Sequence, residues 1–203
     1  MSDAIKDFII ASVGGQGGLL ATTLLASVSA RAGFDVKTSE VHGMAQRGGT
    51  VTSYVRRGER VFSPIVPRGE ADLILGLEVL EAYRQLPNLR TGGIVLFSDE
   101  TISPVPVIMG EQPYPKLTRE SFLQRASSAY SIPANAIANA VGNLRTSNVA
   151  CLGALSALLD DPGDPPPEVW EEEVARLVPR RTVEVNLAAF RQGRRWMEAN
   201  KTS

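Results

Sequence analysis

Apolar residues along the chain fall into short β-branched runs and longer stretches rich in Leu and Ala. Residues 8–13 form a short apolar run, and residues 19–32 carry Leu, Ala and Thr without Gly or Pro until Gly33. The first pattern predicts a buried strand and the second a helix. With a further strand over residues 34–40, they predict a βαβ unit and hence a parallel sheet covered on both faces.

The strand pattern recurs further along the chain. Residues 71–76 and 92–97 predict two more buried strands, and residues 50–56 with 60–62 predict a hairpin added to the sheet. Two prolines within residues 63–67 remove donors that a sheet ladder needs, so this segment is predicted to be an extended connection.

Helical patterns dominate the second half. We predict helices at residues 78–84, 118–129, 135–141, 147–159, 168–177 and 183–197, the last two polar enough to lie on the surface. Prolines between residues 101 and 115 predict a loop with one edge strand near residues 105–109. Residues 1–203 are therefore predicted to form a single α/β domain with a mostly parallel, Rossmann-like open sheet, flanking helices, an added hairpin and C-terminal helices.

Charge and cysteine content narrow the possible functions. The 203 residues carry a formal net charge of −1, which provides no general attraction to nucleic acid or to an acidic membrane. Cys151 is the single cysteine, so this chain alone cannot form an internal disulfide, a structural zinc site or an iron–sulfur cluster. Signal-peptide and membrane-spanning patterns are missing, and we expect a cytoplasmic protein.

A glycine block lies between the first predicted strand and helix. It consists of Gly14, Gly15, Gln16, Gly17 and Gly18. Free backbone N–H groups and the helix dipole favour a phosphate or carboxylate at such a position. Ser12-x-Gly14-x-x-Gly17 has the dinucleotide-fingerprint spacing with serine in first place, and Glu40 lies near where a ribose-binding acid would stand. A nicotinamide or flavin nucleotide stays open, as does a role for the glycines in packing alone.

A second polar segment, residues 36–54, connects two strand patterns. Its candidate ligand-binding residues are Glu40, His42, Gln46, Arg47, Gly48 and Gly49. Arg47 can bind a carboxylate or phosphate through two hydrogen bonds, and Gly48 and Gly49 let a second backbone come close. Both this loop and the glycine block follow strand ends, and ligands of open α/β sheets bind at that edge. His42 as a structural residue and Arg47 paired with Glu40 are the alternatives.

Several catalytic motifs are missing from the sequence. It has no G-x-S-x-G, no H-E-x-x-H, no Cys-x-x-Cys and no carboxylates at metal spacing, so we expect no metal ligands in this chain. His42 and Arg47 are therefore candidates for positioning a ligand rather than confident catalytic residues. A cofactor or a second subunit has to supply the chemistry.

Three segments together resemble a known family. They are Val-Gly-Gly-Gln-Gly-Gly at 13–18, Ser-Glu-Val-His-Gly-Met-Ala-Gln-Arg-Gly-Gly at 39–49, and Gly-Glu-Ala-Asp-Leu-Ile-Leu-Gly-Leu-Glu at 69–78. The chain resembles, over nearly its whole length, the gamma-type unit of the 2-oxoacid:ferredoxin oxidoreductases, with the indolepyruvate-type enzymes as the most similar branch. Ser12 departs from the glycine usual in that family.

The resemblance implies a non-redox subunit that is inactive alone. It implies a hetero-oligomer with a large alpha subunit that holds thiamine diphosphate, Mg and ferredoxin-type iron–sulfur clusters, with ferredoxin as electron acceptor and coenzyme A as co-substrate. Residues 14–18 and 42–49 are then expected to face that subunit's cofactor. A free-standing NAD- or FAD-binding domain and a purely structural partner subunit are the competing interpretations.

The resemblance leads to a prediction for Arg47. Arg47→Ala in a reconstituted complex is expected to reduce acyl-CoA formation, because a bidentate contact to an anionic group is lost. Steady-state kinetics of the variant and parent complexes measure the effect. Unchanged kinetics with every substrate would contradict it.

Overall fold

The computed structural model describes residues 6–43 and 48–201. These residues contain one sheet in the order β2-β3-β1-β4-β5-β6. Its strands are β1 (Lys6–Val13), β2 (Asp35–His42), β3 (Thr50–Gly58), β4 (Ala71–Gly76), β5 (Leu89–Ser98) and β6 (Ser128–Ile132). The strands β1, β4, β5 and β6 pair in parallel, whereas β3 is antiparallel to both β1 and β2. The predicted α/β class with a mostly parallel open sheet is confirmed.

Helices cover both faces of the sheet. Those described are α1 (Gly18–Arg31), α2 (Val79–Arg84), α3 (Val105–Ile108), α4 (Arg119–Leu123), α5 (Ala134–Ala140), α6 (Ser147–Leu158), α7 (Pro167–Leu177) and α8 (Val183–Asn200). One apolar core lies between the sheet and α1, α5, α6, α7 and α8, and a second lies between the opposite face and α2 and α4. Every helix within the described ranges is too short or too polar to cross a bilayer.

The position of β3 corrects the predicted hairpin. Residues 60–62 form no strand; β3 instead pairs with β2 on one side and β1 on the other, so β1 and β2 are not neighbours. The chain after β3 is held by side chains, since Asp35 accepts from the Val61 N–H at 2.8 Å and Arg56 donates to the Ile65 carbonyl at 3.1 Å. These contacts replace the ladder that the hairpin prediction required.

Two other local predictions were wrong. Residues 105–108 form the short helix α3, because Pro106 is tolerated in a first helical turn but not in a central strand. The helix expected at 118–129 ends at Leu123, and Ser128–Ile132 becomes the edge strand β6. The C-terminal helices lie on the surface as predicted, and each buries one face, with Trp170 of α7 and Phe190 of α8 in the main core.

Two glycines bring α6 and α8 into backbone contact. A Cβ on Gly153 would collide with the Phe190 carbonyl oxygen and stand 2.9 Å from the Arg194 nitrogen. A Cβ on Gly193 would collide with the Ala150 carbonyl oxygen in the same way. Only glycine permits this approach, and it fixes how deeply α6 lies in the core.

A buried ion pair holds the proline-rich connector before α7 against the sheet. Arg57 near the end of β3 is 1% exposed and donates to Asp164 in the connector. Its guanidinium lies 5.3 Å from the ring centre of Phe8 and 4.8 Å from that of Phe34. Burial lowers the pKa of Arg57, while the charge of Asp164 acts in the opposite direction. Each charge therefore depends on the other for its stability in the interior.

We expect Arg57→Met to lower the free energy of unfolding by about 3 kcal/mol, because the buried Asp164 carboxylate keeps only the more exposed Lys6, at 3.5 Å, as a cationic partner. The double variant Arg57→Met/Asp164→Leu is expected to recover much of that loss. Urea unfolding measures both. Arg90→Met is the control, since Arg90 and Asp72 form an exposed pair whose loss costs less than about 1 kcal/mol. A double variant as unstable as the single one would contradict the expectation.

A second charged cluster joins α7 to α1. The Glu173 side chain is 4% exposed and accepts from Arg176 at 2.6 Å, from Ser27 at 2.6 Å and from Arg31 at 3.2 Å. The hydrogen bond from Arg176 is the main reason that the pKa of Glu173 falls to about 2. Because the folded-state pKa is depressed, this carboxylate stabilises the fold above its ordinary pKa of 4.5, and that stabilisation is lost as pH falls through about 2.

Glu173→Gln is therefore expected to destabilise the protein by about 1 to 3 kcal/mol at pH 7 and to reduce the stability loss between about pH 5 and pH 2. Urea midpoints at several pH values measure this. The neighbouring Glu172→Gln is the matched control, because the Glu172 side chain is 62% exposed and its pairing with Arg31 contributes little. Parallel pH profiles for parent and Glu173→Gln would refute the assignment.

Candidate functional site

A cavity of about 720 Å³ opens at the carboxyl ends of β1 and β2, on the face of the sheet that α1 covers. It is lined by Ser12, Val13, Gly14, Gly15, Gly17, Gly18, Leu19, Glu40, His42, Gly43 and Val51. The glycine block and the polar segment at residues 36–54, here called the central loop, were predicted to share one sheet edge, and both contribute residues to the cavity. Gln46 and Arg47 lie outside the described residues.

The glycine block forms a tight turn into α1. Gly15 and Gly17 have φ of +105° and +82°, a left-handed conformation that favours glycine. The first helical hydrogen bond of α1 runs from the Ala21 N–H to the Gly17 carbonyl, and α1 has neither a side-chain cap nor an acidic residue in its first turn. In the described part of the chain, the N–H groups of Gly18, Leu19 and Leu20 have no acceptor.

Backbone hydrogen bonds fasten the central loop to the glycine turn. The Gly14 N–H donates to the Gly49 carbonyl at 2.9 Å, and the Gly43 N–H donates to the Thr50 carbonyl at 2.9 Å. Gly48 has φ of +67°, which a glycine adopts without strain. The two loops are thus one continuous wall rather than two independent segments.

Gln16 and Asn148 support the turn from inside the protein. Gln16, predicted as a ligand-binding residue, does not line the cavity; its amide accepts from the Val13 N–H at 2.8 Å and donates to the Leu77 carbonyl at 2.9 Å and to Glu100 at 3.1 Å. Asn148 at the start of α6 donates to the Gly17 carbonyl at 3.3 Å. The sequence did not identify Asn148 as a site residue, because its contact with the turn arises from the packing of α6.

Glu40 and His42 stand on the opposite side of the cavity. The His42 imidazole Nε2 lies 3.3 Å from a Glu40 carboxylate oxygen, and Ser53 on β3 donates to the other oxygen at 3.4 Å. The His42 side chain is 61% exposed. The Glu40 carboxylate therefore lies beside an exposed imidazole at the wall of the cavity.

The strand order weakens the dinucleotide interpretation. In a dinucleotide-binding unit the ribose-binding acid ends the strand next to the first strand. Here β3 lies between, so the strand that carries Glu40 is two spacings, about 10 Å, from β1. The fingerprint-like spacing at Ser12, Gly14 and Gly17 is therefore not accompanied by the neighbouring strand that its function requires.

The described residues offer no place for a catalytic metal. Within residues 6–43 and 48–201, His, Cys, Asp and Glu side chains form no group of three able to hold a metal ion. Asp164, which follows Gly163, is paired with Arg57 and is not available to a metal. Cys151 is buried in α6, and burial raises the pKa of its thiol, so it is protonated and unreactive.

The chain is similar to known oxidoreductase subunits over almost its whole length. The family model of pyruvate ferredoxin/flavodoxin oxidoreductase matches residues 7–196. The indolepyruvate oxidoreductase subunit IorB of Thermococcus kodakarensis is 42% identical over 194 residues, covering 92% of this chain and 93% of the relative. The corresponding subunit of Pyrococcus horikoshii is 40% identical over 191 residues, with coverage of 92% and 93%.

Among solved structures, the gamma subunit of keto/oxoacid ferredoxin oxidoreductase from Geobacter sulfurreducens shares the fold. It superimposes with a TM-score of 0.70 at 24% identity, covering 96% of this chain and 99% of that one. The match of the family model and the identity to the curated relatives extend over almost the whole chain. The chain therefore belongs to the pyruvate ferredoxin/flavodoxin oxidoreductase family.

Proposed function

We propose that this chain is the small, non-redox subunit of a 2-oxoacid:ferredoxin oxidoreductase that converts indolepyruvate or related aryl pyruvates to acyl-CoA and CO2. One observation carries the proposal: a cavity with free backbone donors stands at the carboxyl edge of a sheet whose described residues contain no metal cluster. A site of this kind binds a ligand but needs chemistry from elsewhere. The names of the curated relatives, indolepyruvate oxidoreductase subunits, support the choice of enzyme.

The partner in this proposal is a large alpha subunit. Thiamine diphosphate with Mg and ferredoxin-type iron–sulfur clusters on that subunit supply decarboxylation and electron transfer to ferredoxin. The described residues of this chain do not fit thiamine diphosphate, because they contain no group of three side chains able to hold the metal ion that binds its diphosphate. They fit part of coenzyme A, since the cavity has the volume of a cofactor site and presents N–H donors.

In this proposal the cavity residues hold the co-substrate rather than transform it. His42, which lies 3.3 Å from Glu40, orients the ligand, and Arg47 from the adjoining loop binds one of its anionic groups. The turn at residues 14–18 supplies backbone donors. The isolated chain is then inactive, and the complex works in the cytoplasm.

Exposed apolar side chains support a subunit interface near this edge. They belong to the first turn of α1, to α3 and its C-cap beyond β5, and to the short segment before α6: Leu19, Val105, Ile108, Met109 and Leu144. Three of them lie in or next to a four-residue helix that buries none of its own residues. Several large apolar groups near one site are typical of a surface that another protein covers.

The proposed interface is tested by Ile108→Glu, since the Ile108 residue is 72% exposed. We expect this variant to fold as the parent does but to weaken co-purification with the alpha subunit at least tenfold, because a charge is buried in an apolar contact. Size-exclusion chromatography and titration of the alpha subunit measure assembly, and ferredoxin reduction measures activity.

Phe62→Glu is the matched control. Phe62 is 81% exposed and follows the end of β3, away from the cavity. It is expected to leave assembly unchanged. Assembly lost with Phe62→Glu and kept with Ile108→Glu would move the interface elsewhere, and a folded chain that never binds an alpha subunit would overturn the proposed function.

A further inference from the structure

We infer that a second pocket, between the C-terminal ends of α2 and α4, binds a small organic carboxylate with an apolar body. This α2–α4 pocket is on the face of the sheet opposite α1 and shares no described residue with the cavity above. The inference goes beyond the function proposed for the complex and concerns this chain alone. The pocket is lined by Tyr83, Arg84, Leu86, Pro87, Gln124 and Arg125.

The α2–α4 pocket has the size and the apolar surface of a small-molecule site. Its volume is about 410 Å³, which is within the range of ligand pockets. Leu86, which is 7% exposed, and the ring of Tyr83 provide apolar surface. That ring packs edge-on against the buried Phe122, with ring centres 5.7 Å apart, so its position is fixed. An aromatic or branched skeleton therefore has a firm surface to pack against.

Arg125 is a fixed cation without an anionic partner. Its Nε donates to the Leu89 carbonyl at 3.2 Å, and its Nη2 donates to the Pro87 carbonyl at 3.4 Å. Among residues 6–43 and 48–201 it forms no ion pair, unlike Arg84 and Arg90. The two carbonyls hold the guanidinium in place and leave its Nη1 end for a ligand. A guanidinium binds a carboxylate through charge-assisted hydrogen bonds that fit its planar shape.

The charges at the α2–α4 pocket favour an anion with a single charge. Arg84 also lines the pocket, but its charge is balanced by Glu81, whose side chain is 5% exposed. The described lining contains no acidic residue, so the charge of Arg125 remains uncompensated. One free cation suits a carboxylate better than a doubly charged phosphate. The exposed amide of Gln124 can donate to the second carboxylate oxygen.

Both arginines are held in place by acceptors within this chain. Arg84 donates to Glu81 and lies 3.5 Å from the Thr50 hydroxyl, and Arg125 is held by two backbone carbonyls. Side chains that are already ordered lose less conformational entropy when a ligand binds. The α2–α4 pocket therefore has the fixed cation, the amide donor and the apolar surface that a carboxylate with an apolar body requires.

The test titrates the 203-residue chain, labelled with 15N, with phenylacetate at constant ionic strength and pH 7. We expect saturable chemical-shift changes concentrated at the backbone amides of Tyr83, Arg84, Leu86, Gln124 and Arg125. Acetate lacks the apolar body and phenylacetamide lacks the charge. Each is therefore expected to bind about tenfold more weakly than phenylacetate.

Two variants test the lining residues. Arg125→Gln is expected to weaken phenylacetate binding about tenfold, because a charge-assisted hydrogen bond is lost. Gln124→Glu is expected to weaken it by a similar factor, because it adds a negative charge to the lining. Gln124 is exposed, so this variant is expected to keep the fold. Arg145→Gln is the matched control, since Arg145 is an exposed arginine before α6, on the other face of the sheet, and should not affect binding.

Shifts scattered over arginines outside the α2–α4 pocket, equally tight binding of phenylacetamide, or unchanged affinity in the folded variants would each overturn the site. It would also be overturned if the parent binds no phenylacetate while folded Gln124→Glu fails to assemble with the alpha subunit. That result would assign the pocket to an acidic side chain of the partner. Binding to the isolated chain needs no partner, so a failure of the proposed function would leave this site intact.

Discussion

The hydrogen bond from the Gly14 N–H to the Gly49 carbonyl connects the two halves of the site. It exists because β3 enters the sheet between β1 and β2, antiparallel to both. That position returns the chain to the carboxyl edge just where the glycine turn begins. Without β3 the wall that carries Glu40 and His42 would have no link to the N-terminus of α1, and the cavity would not form.

The sequence predicts where the strands and helices lie along the chain better than it predicts which strands pair with one another. The strand patterns at 8–13 and 71–76 are correct because buried apolar runs depend on local composition, and the partly exposed strand predicted at 34–40 is found at Asp35–His42. The place of β3 is not local: alternation identifies which side chains share a face but not which strand lies alongside. β6 was missed because its Ser-Ala-Tyr-Ser-Ile sequence has few β-branched residues and gains its stability from pairing with β5.

The same limit applies to the site. Glycines with positive φ could be anticipated from the run at 14–18, since a strand that turns sharply into a helix needs them. The orientation of Gln16 could not, because its partners Leu77 and Glu100 are more than 60 positions away. Asn148 reaches the turn only because the close glycine contact between α6 and α8 fixes how deeply α6 lies in the core. Its role is therefore a product of helix packing rather than of any motif.

The strand β3 runs from the cavity to the buried Arg57, and this limits how the site can move. Its residues alternate, with Val55 in the core beneath α1 and Thr52 bonded to Gln85 beside α2 on the other face. Sliding by one residue would exchange the faces and pull Arg57 away from Asp164. Lengthwise slippage is therefore blocked at the far end of the strand. A ligand or partner at the cavity can therefore bend β3 sideways but cannot shift it lengthwise.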